Sequence, residues 1–397
     1  MNQMSRVYQL ALDKLKSPLL ARTASAVLRP AARCAERIKS LTAGKRLPPE
    51  DTEACRARLA RIYPQPQVVP RAGIAAPANG LDVSVIVPVY NAEDSLEQLL
   101  DSLFSQETGY SFEVIAVNDG SSDGSGRLLD SRAQKEKRLR VIHRANGGAA
   151  AARNEGLDAA GGEYIFFADA DDRVLPGAIE HMVRMARQQN LDLVQAAWRY
   201  EGGPVQCVRD EVLAGERLLE MTEMPGMPWA KLFRRELFHG VRFPEGYSCF
   251  EDSILKCLLL PRCTRVGLCG WVSYAWKRNN PKGLTATSKF APKTIQAYWV
   301  VEEMERQAEK APDTLGLAIL LQQICAVMLP RLAPFERQVQ QDAFLLACEL
   351  VKRYTEAGDS AAWIGRLPYP QKRALQAVER RSLDQALVLS RLWRLMI

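Results

Sequence analysis

Between residues 83 and 168 two hydrophobic rhythms alternate. Val83–Val89 is a β-branched run, which reads as a strand buried on both faces, closed by Pro88 and Asn91. Asn91 suits a helix N-cap, and Leu96, Leu99, Leu100, Leu103 and Phe104 then recur at helical spacing. Phe112–Asn118 is a second strand, ending in Asp119-Gly120-Ser121-Ser122-Asp123-Gly124, with a helix through Leu128 and Leu129 behind it. Leu139–His143 is a third strand. Asn146-Gly147-Gly148 opens a small-residue helix over Ala149–Ala160, Gly161-Gly162 ends it, and Tyr164–Ala168 is a fourth strand. Strands alternating with helices predict βαβ units and a mainly parallel sheet.

The flanks follow different patterns. Residues 1–63 read as short helices broken by Pro18, Pro30 and Pro48-Pro49. Residues 64–80 are rich in Pro, Ala and Gly and read as a linker. Residues 81–287 form the α/β domain. Residues 288–397 are helical, with one stripe through Ile319, Leu320, Ile324, Val327 and Met328 and another through Phe344, Leu345, Cys348 and Val351. The tail Ala386–Ile397 suits core packing, a dimer contact or a membrane contact, with core packing the default. The longest apolar segment, Leu315–Leu329, is interrupted by Gln322 and Gln323 and reads as too short to span a bilayer.

Charge changes the picture only at the N-terminus. Residues 1–63 carry 13 Lys/Arg against 5 Asp/Glu, a local +8 in a chain of net +7, so the remainder is near neutral. No nucleic-acid partner is expected of such a core. The basic segment suits either the surface of an anionic membrane or packing on the core, and packing is the favoured alternative. Nine cysteines without a C-x-x-C pair, beside three histidines, argue against zinc and fit reduced thiols in a cytoplasm.

The polar residues that follow the strands carry the chemistry. Asn91, Asp119, Asn146 with Arg153, and Asp169 with Asp171 all map to the carboxyl ends, the rim where open α/β sheets bind ligands. Tyr164–Arg173 runs four apolar residues into Asp169, Asp171 and Asp172. Two hard oxygen ligands on a tight turn suit Mg²⁺ or Mn²⁺, while an acidic solvated turn is the plainer alternative. Asp119 suits a polar ligand edge or an Asx turn. Gly147 and Gly148 admit close backbone approach. Arg153 reaches toward a ligand or pairs with Glu155 or Asp158.

Four ordered motifs, Ile86-Val87-Pro88-Val89-Tyr90-Asn91, Val117-Asn118-Asp119-Gly120-Ser121-Ser122-Asp123-Gly124, Asn146-Gly147-Gly148 with Ala152-Arg153-Asn154, and Ala168-Asp169-Ala170-Asp171-Asp172, resemble glycosyltransferase family 2 from about Val83 to Thr287. The resemblance implies a GT-A fold, a Rossmann-like mixed sheet, with a nucleotide-sugar donor, UDP-linked, a divalent metal and inversion at the anomeric carbon. It places Pro88, Tyr90, Asn91 and Asp119 around the nucleobase, Gly147, Gly148 and Arg153 at the donor, Asp169 near ribose and metal, and Asp171 as the direct metal ligand. Pro228-Trp229-Ala230-Lys231-Leu232 resembles the family's element before the acceptor site, implying Trp229 and Lys231 as acceptor contacts; a core Trp is the plainer alternative. Glu251-Asp252 precedes an apolar helix, Ile254–Leu260. The resemblance makes Asp252 the catalytic base, with Glu251 orienting it or the acceptor, against a capping role for both. In Tyr274-Ala275-Trp276-Lys277-Arg278 either basic residue suits the donor diphosphate. A Q-x-x-R-W element of processive members is absent, so single addition is expected, to a glycan or lipid-linked acceptor in bacterial surface-polysaccharide assembly, in the cytoplasm or on the inner face of its membrane. A nucleotidyltransferase would need a Gly-rich loop where Pro88-Val89-Tyr90-Asn91 stands, and a non-catalytic module would not need all four carboxylates.

Overall fold

β1 (Val83–Val89), β2 (Phe112–Asp119), β3 (Leu139–Arg144) and β4 (Tyr164–Phe167) lie side by side and parallel, in the order β3-β2-β1-β4. This is a computed structural model, and it describes residues 46–66, 80–207, 209–247, 250–253, 255–277, 292–307, 313–356 and 360–396. The strand register aligns the carboxyl ends. Val89 stands opposite Asn118, and Asp119 opposite Arg144, so the motif residues share one edge.

β1, β2 and β4 bury both faces, and the alternation of side chains decides what covers each. Val83, Val85, Val87 and Val89 join Leu96, Leu99, Leu100 and Leu103 of α2 (Glu93–Phe104), all of them almost fully buried. (α1, Thr52–Ile62, lies outside the sheet.) Each such side chain stabilises the fold by about 1.5–3 kcal/mol relative to exposure. On the opposite face Ile86, Ile115 and Val117 meet Ala150, Ala152 and Leu157 of α4 (Ala149–Ala159), which follows α3 (Ser125–Ala133) in the chain. The small residues of α4 are required there. A Cβ on Gly156 would stand 2.4 Å from the Ile86 Cγ2 methyl, so this helix sits closer to the sheet than a larger residue permits.

Beyond β4 the sheet becomes mixed. β9 (Lys231–Arg234) runs antiparallel between β4 and β6 (Leu193–Tyr200), and β10 (Arg265–Trp276) lies parallel to β6. β5 (Arg173–Val174), the two residues after the acidic turn, pairs antiparallel with the end of β10, Val174 opposite Tyr274. β7 (Val205–Gln206) and β8 (Glu211–Ala214) add to β6 and β10, giving ten strands. α5 (Ala178–Gln188) contributes Ile179, Met182, Val183 and Ala186 to the α2 side. The sheet is therefore a mixed α/β sheet with flanking helices.

A second core is helical. Gln296–Gln307, Thr314–Gln322, Arg337–Thr355, Tyr369–Glu379 and Leu383–Met396 gather Trp299, Leu317, Leu321, Phe344 and Ala347. α1 belongs to this body. Its Cys55 and Leu59 are fully buried there, and Arg58 forks onto the buried Asp342 with two contacts of 2.7 Å. The described end of the basic N-terminal segment thus packs on the C-terminal helices. Residues 1–45 and 67–79 lie outside the described residues.

The apolar stretch with Gln322 and Gln323 corrects one expectation. Thr314–Leu332 forms a continuous helical run of 19 residues, α-helical at both ends and π-helical through Gln323–Met328, long and apolar enough by itself to cross a membrane. Two-thirds of its most apolar window is buried inside the protein, and buried Gln322 accepts a 2.5 Å hydrogen bond from Lys256 Nζ, so its partners are protein. It packs as a core helix.

Candidate active site

The site begins where β1 and β4 part. Ala168 N–H donates to the carbonyl of Ile86 at 3.1 Å. The next rung would be a donation from residue 88 to residue 168, and Pro88 has no N–H. The ladder stops there, and the two strands separate into their loops. Tyr90, 55% exposed, and Asn91 lie on the β1 side of the opening.

Asn91 does not cap α2, as its position predicts. Its backbone takes φ +48°, and its side-chain oxygen accepts from Ser122 N–H at 2.8 Å. The cap is supplied from the β2 loop instead. Asp123 accepts from Glu93 N–H at 3.1 Å and Ser125 Oγ from Ala92 N–H at 2.9 Å. Asn91 N–H in turn donates to Ser121 Oγ at 3.1 Å, so the two loops are laced together.

Asp119 closes the β2 end. Its carboxylate accepts from Gly147 N–H at 3.0 Å and Gly148 N–H at 2.7 Å, with Arg144 at 3.3 Å. The two glycines that sequence assigns to the donor therefore grip Asp119 in this structure, and a nest of amides holding a carboxylate fixes the loop that bears it. Gly148 has φ +88°, where a side chain is strained, and a Cβ on Gly120 would meet Asn146 N at 2.8 Å. Both positions need glycine.

The acidic turn follows β4. Asp169 and Asp171 are partly exposed, and Asp172 is buried. Arg153 pairs with neither Glu155 nor Asp158. From its buried place on α4 it donates from Nη2 to Asp169 Oδ1 at 3.0 Å and from Nη1 to Glu251 Oε1 at 3.1 Å, with its guanidinium over the Phe243 ring. Tyr274 Oη accepts from Asp169 N–H at 2.9 Å and donates to Asp172 Oδ2 at 2.8 Å, while Lys277 N–H donates to Asp172 Oδ1 at 2.8 Å. Burial, then the charge of Asp169, pushes the Asp172 carboxyl up to about 8.

Glu251 and Asp252 reach this turn from the other side. Phe250, immediately before them, holds φ +69°, a rare conformation for a bulky residue that marks a constrained site. The helix expected behind them is a short π-helical turn, Leu255–Leu259, and Ile254 lies outside the described residues. Burial first, and Glu251 second, raise the Asp252 carboxyl to about 7, against the opposing pull of Arg153.

Trp229 and Lys231, the expected acceptor contacts, are both buried. Trp229 is 2% exposed and lies flat on Tyr274, centroids 4.9 Å apart and planes within 3°, with Trp198 and Trp276 around it, so its face is covered by protein. Lys231 is buried. Its ammonium donates to the Met227 carbonyl at 2.6 Å, and desolvation lowers its pKa to about 7. Lys277 has an exposed side chain and an engaged backbone amide; Arg278 lies outside the described residues. Sequence reasoning gave no role to Asp172 or Tyr274. The one available signal was a third carboxylate beside a fully apolar strand, where burial demands partners.

A parallel β3-β2-β1-β4 unit with a carboxylate after β2, a pinned acidic turn after β4 and a second carboxylate pair facing that turn defines a GT-A type α/β fold. Comparison agrees at three levels. The family model described as glycosyl transferase family 2 matches residues 84–242. An uncharacterized glycosyltransferase of Haemophilus influenzae is 31% identical over 183 residues, 43% of this chain and 71% of the relative. Uncharacterized glycosyltransferase EpsJ of Bacillus subtilis is 37% identical over 217 residues, 51% of this chain and 62% of the relative. The chain belongs to glycosyltransferase family 2. It spans 62% of the length of EpsJ and 52% of that of YibD of Escherichia coli. Among solved structures, residues 1–349 of S. aureus TarS in complex with UDP-GlcNAc superpose with a TM-score of 0.60, over 80% of this chain and 92% of that one, at 19% identity, a likeness of fold.

Proposed function

We propose that this chain is an inverting, non-processive glycosyltransferase that moves one sugar from a UDP-linked donor to a glycan or lipid-linked acceptor in bacterial surface-polysaccharide assembly. The observation that carries the reading is the convergence of two carboxylate groups on one buried guanidinium. Arg153 ties Asp169 of the acidic turn to Glu251, and Asp252 follows Glu251 directly. An inverting displacement needs a carboxylate to take the acceptor proton while the nucleotide leaves on the opposite face, and an acidic turn facing a separate carboxylate supports that reading.

Asp252 serves as base. Its raised pKa puts it near neutrality, where a carboxylate is a stronger proton acceptor than an ordinary one and is still substantially ionised. It takes the proton of the acceptor hydroxyl as that oxygen attacks the anomeric carbon. Glu251, fixed by Arg153, orients the base or the acceptor. Asp119, gripped by the Gly147 and Gly148 amides, Pro88, Tyr90 and Asn91 frame the nucleobase.

The donor set of the turn fits Mn²⁺ or Mg²⁺. Asp169 and Asp171 offer hard oxygens at the surface, while both oxygens of Asp172 are already taken by Tyr274 and Lys277. Asp171, with Asp169, would hold the ion, and a bound ion supplies charge neutralisation to the departing diphosphate. All seven described cysteines are free thiols, which fits work in a reducing compartment.

The test is a donor screen that scores released nucleoside diphosphate with Mn²⁺ across a panel of nucleotide sugars, repeated with Asp252→Asn. The reading predicts that the variant binds donor and fails to transfer. Turnover of no nucleotide sugar, or an Asp252→Asn that transfers normally, overturns it.

A further inference from the structure

We infer that Tyr274 is a positioning residue for the acidic turn, acting with Asp172 as a latch that sets the turn's shape before any ion arrives. The inference rests on the reading of Asp169 and Asp171 as the metal-holding pair.

Asp169 N–H is a donor, so the Tyr274 oxygen accepts from it at 2.9 Å, and the phenol hydroxyl donates to Asp172 Oδ2 at 2.8 Å. The remaining Asp172 oxygen accepts from Lys277 N–H at 2.8 Å. One phenol thus joins the backbone at the first ligand to the carboxylate three residues on. That carboxylate joins the turn to the first residue beyond β10.

The ring cannot swing away. Trp229 covers it face to face at 4.9 Å, and Phe166 meets it edge-on at 6.5 Å. The turn is also pinned at both ends, by β4 on β1 and by β5 on β10, where Val174 pairs with Tyr274 itself. Between those ends Ser95 Oγ holds the Ala170 carbonyl at 3.0 Å and Asp172 N–H holds the Asp169 carbonyl at 3.1 Å, and the phenol adds the bridge from the Asp169 N–H to the Asp172 carboxylate. Partners that orient ligands without touching the ion typically carry 10–100-fold of metal affinity. The buried Trp229 acquires a use here as the wall that holds Tyr274.

The experiment measures Mn²⁺ affinity in the presence of UDP, by the electron paramagnetic resonance signal of free Mn²⁺, on the full chain. Tyr274→Phe keeps the ring and its stack on Trp229 and removes the bridge. Its Mn²⁺ dissociation constant should rise about tenfold or more, while UDP affinity without metal stays at the wild-type value. Asp172→Ala should match it, and the double variant should be no weaker than the weaker single, because both remove one latch. Asp172→Asn, with a single acceptor oxygen, should lie between, and it carries the test if Tyr274→Phe fails to fold. Wild-type Mn²⁺ affinity in the folded variants, or additive losses in the double, overturns the latch and leaves only a packing role. If the wild-type chain itself shows no Mn²⁺ dependence of UDP binding, the reading of the turn as a metal site falls first and takes the latch with it.

Discussion

Asp169 and Glu251, which come from opposite sides of the cleft, share one guanidinium: Arg153 donates to the first at 3.0 Å and to the second at 3.1 Å. Arg153→Lys keeps the charge and loses the fork, since an ammonium is a single point with no planar pair of donors. Transfer should fall by about 10–100-fold as the two carboxylates lose their common register, roughly 1.4–2.8 kcal/mol of barrier. Arg153→Ala leaves the buried Glu251 carboxylate uncompensated and should destabilise the fold by about 3–5 kcal/mol. Transfer rates beside denaturant midpoints for the two variants check this. A lysine variant at wild-type rate would show that the fork does not align the site.

Asp252 gives the reaction a pH signature. A base raised to about 7 is protonated and idle in acid, so kcat/KM should fall about tenfold per pH unit below that value, and the fall should vanish in the residual activity of Asp252→Asn. The same shift acts on stability. The folded-state value lies above the ordinary unfolded value of about 3.9, so the folded chain holds the extra proton between the two. The associated stability is fully present below the lower value and is lost as pH rises through the upper one. Asp252→Asn has no charge to bury and should melt higher than wild type at pH 8. Equal melting temperatures there would mean that the carboxyl is not perturbed.

Asp171→Asn tests the ion. The amide keeps the shape of the side chain and removes a charged ligand. Turnover should drop by about two orders of magnitude or more, near 3 kcal/mol of transition-state stabilisation. Donor binding in Mn²⁺ should weaken along with it. Full activity of the variant, or of wild type in EDTA, would remove the metal from the reaction.

Gly148→Ala tests the grip on Asp119. The position has open space around it, so the substitution causes no clash, only the strain of φ +88°. That strain is of order 1–3 kcal/mol and should be relieved by turning the Gly148 N–H away from Asp119. Nucleotide affinity measured by calorimetry should weaken about 5–100-fold, with the fold destabilised by no more than about 1–3 kcal/mol. Unaltered affinity would show that the amide grip does not shape the nucleobase side of the cleft.

Much of the sheet was legible because its signals are local. Val83–Val89 and Phe112–Asp119 are apolar runs whose type follows from residue content alone, and the parallel order brings Asp119 and Asp169 to one rim without any long-range guess. The cap of α2 was not legible. Asn91 has the right chemistry in the right place, yet Asp123 and Ser125 reach Glu93 and Ala92 from a loop far along the chain, and nothing local records that. Trp229 misled for a similar reason. An aromatic before a lysine reads the same whether its face meets a sugar or Tyr274. Arg153 could not be read in its partners, because Glu251 joins it only through tertiary folding. The membership of α1 in the C-terminal body depends on Arg58 and Asp342, a pairing between distant segments that no period of the sequence encodes.

The break between β1 and β4 turns on a single hydrogen. Pro88 withholds the one proton that would extend the ladder to Ala168, so the mouth of the cleft is made by subtraction rather than by any group that pushes the strands apart. Pro88→Ala supplies that proton. The added rung would draw the Tyr90–Asn91 loop toward the acidic turn and zip part of the mouth shut. Width at this edge is then a dial with two settings, and a chain of this architecture trades a tighter sheet for room to seat a ligand by the choice of one imino acid.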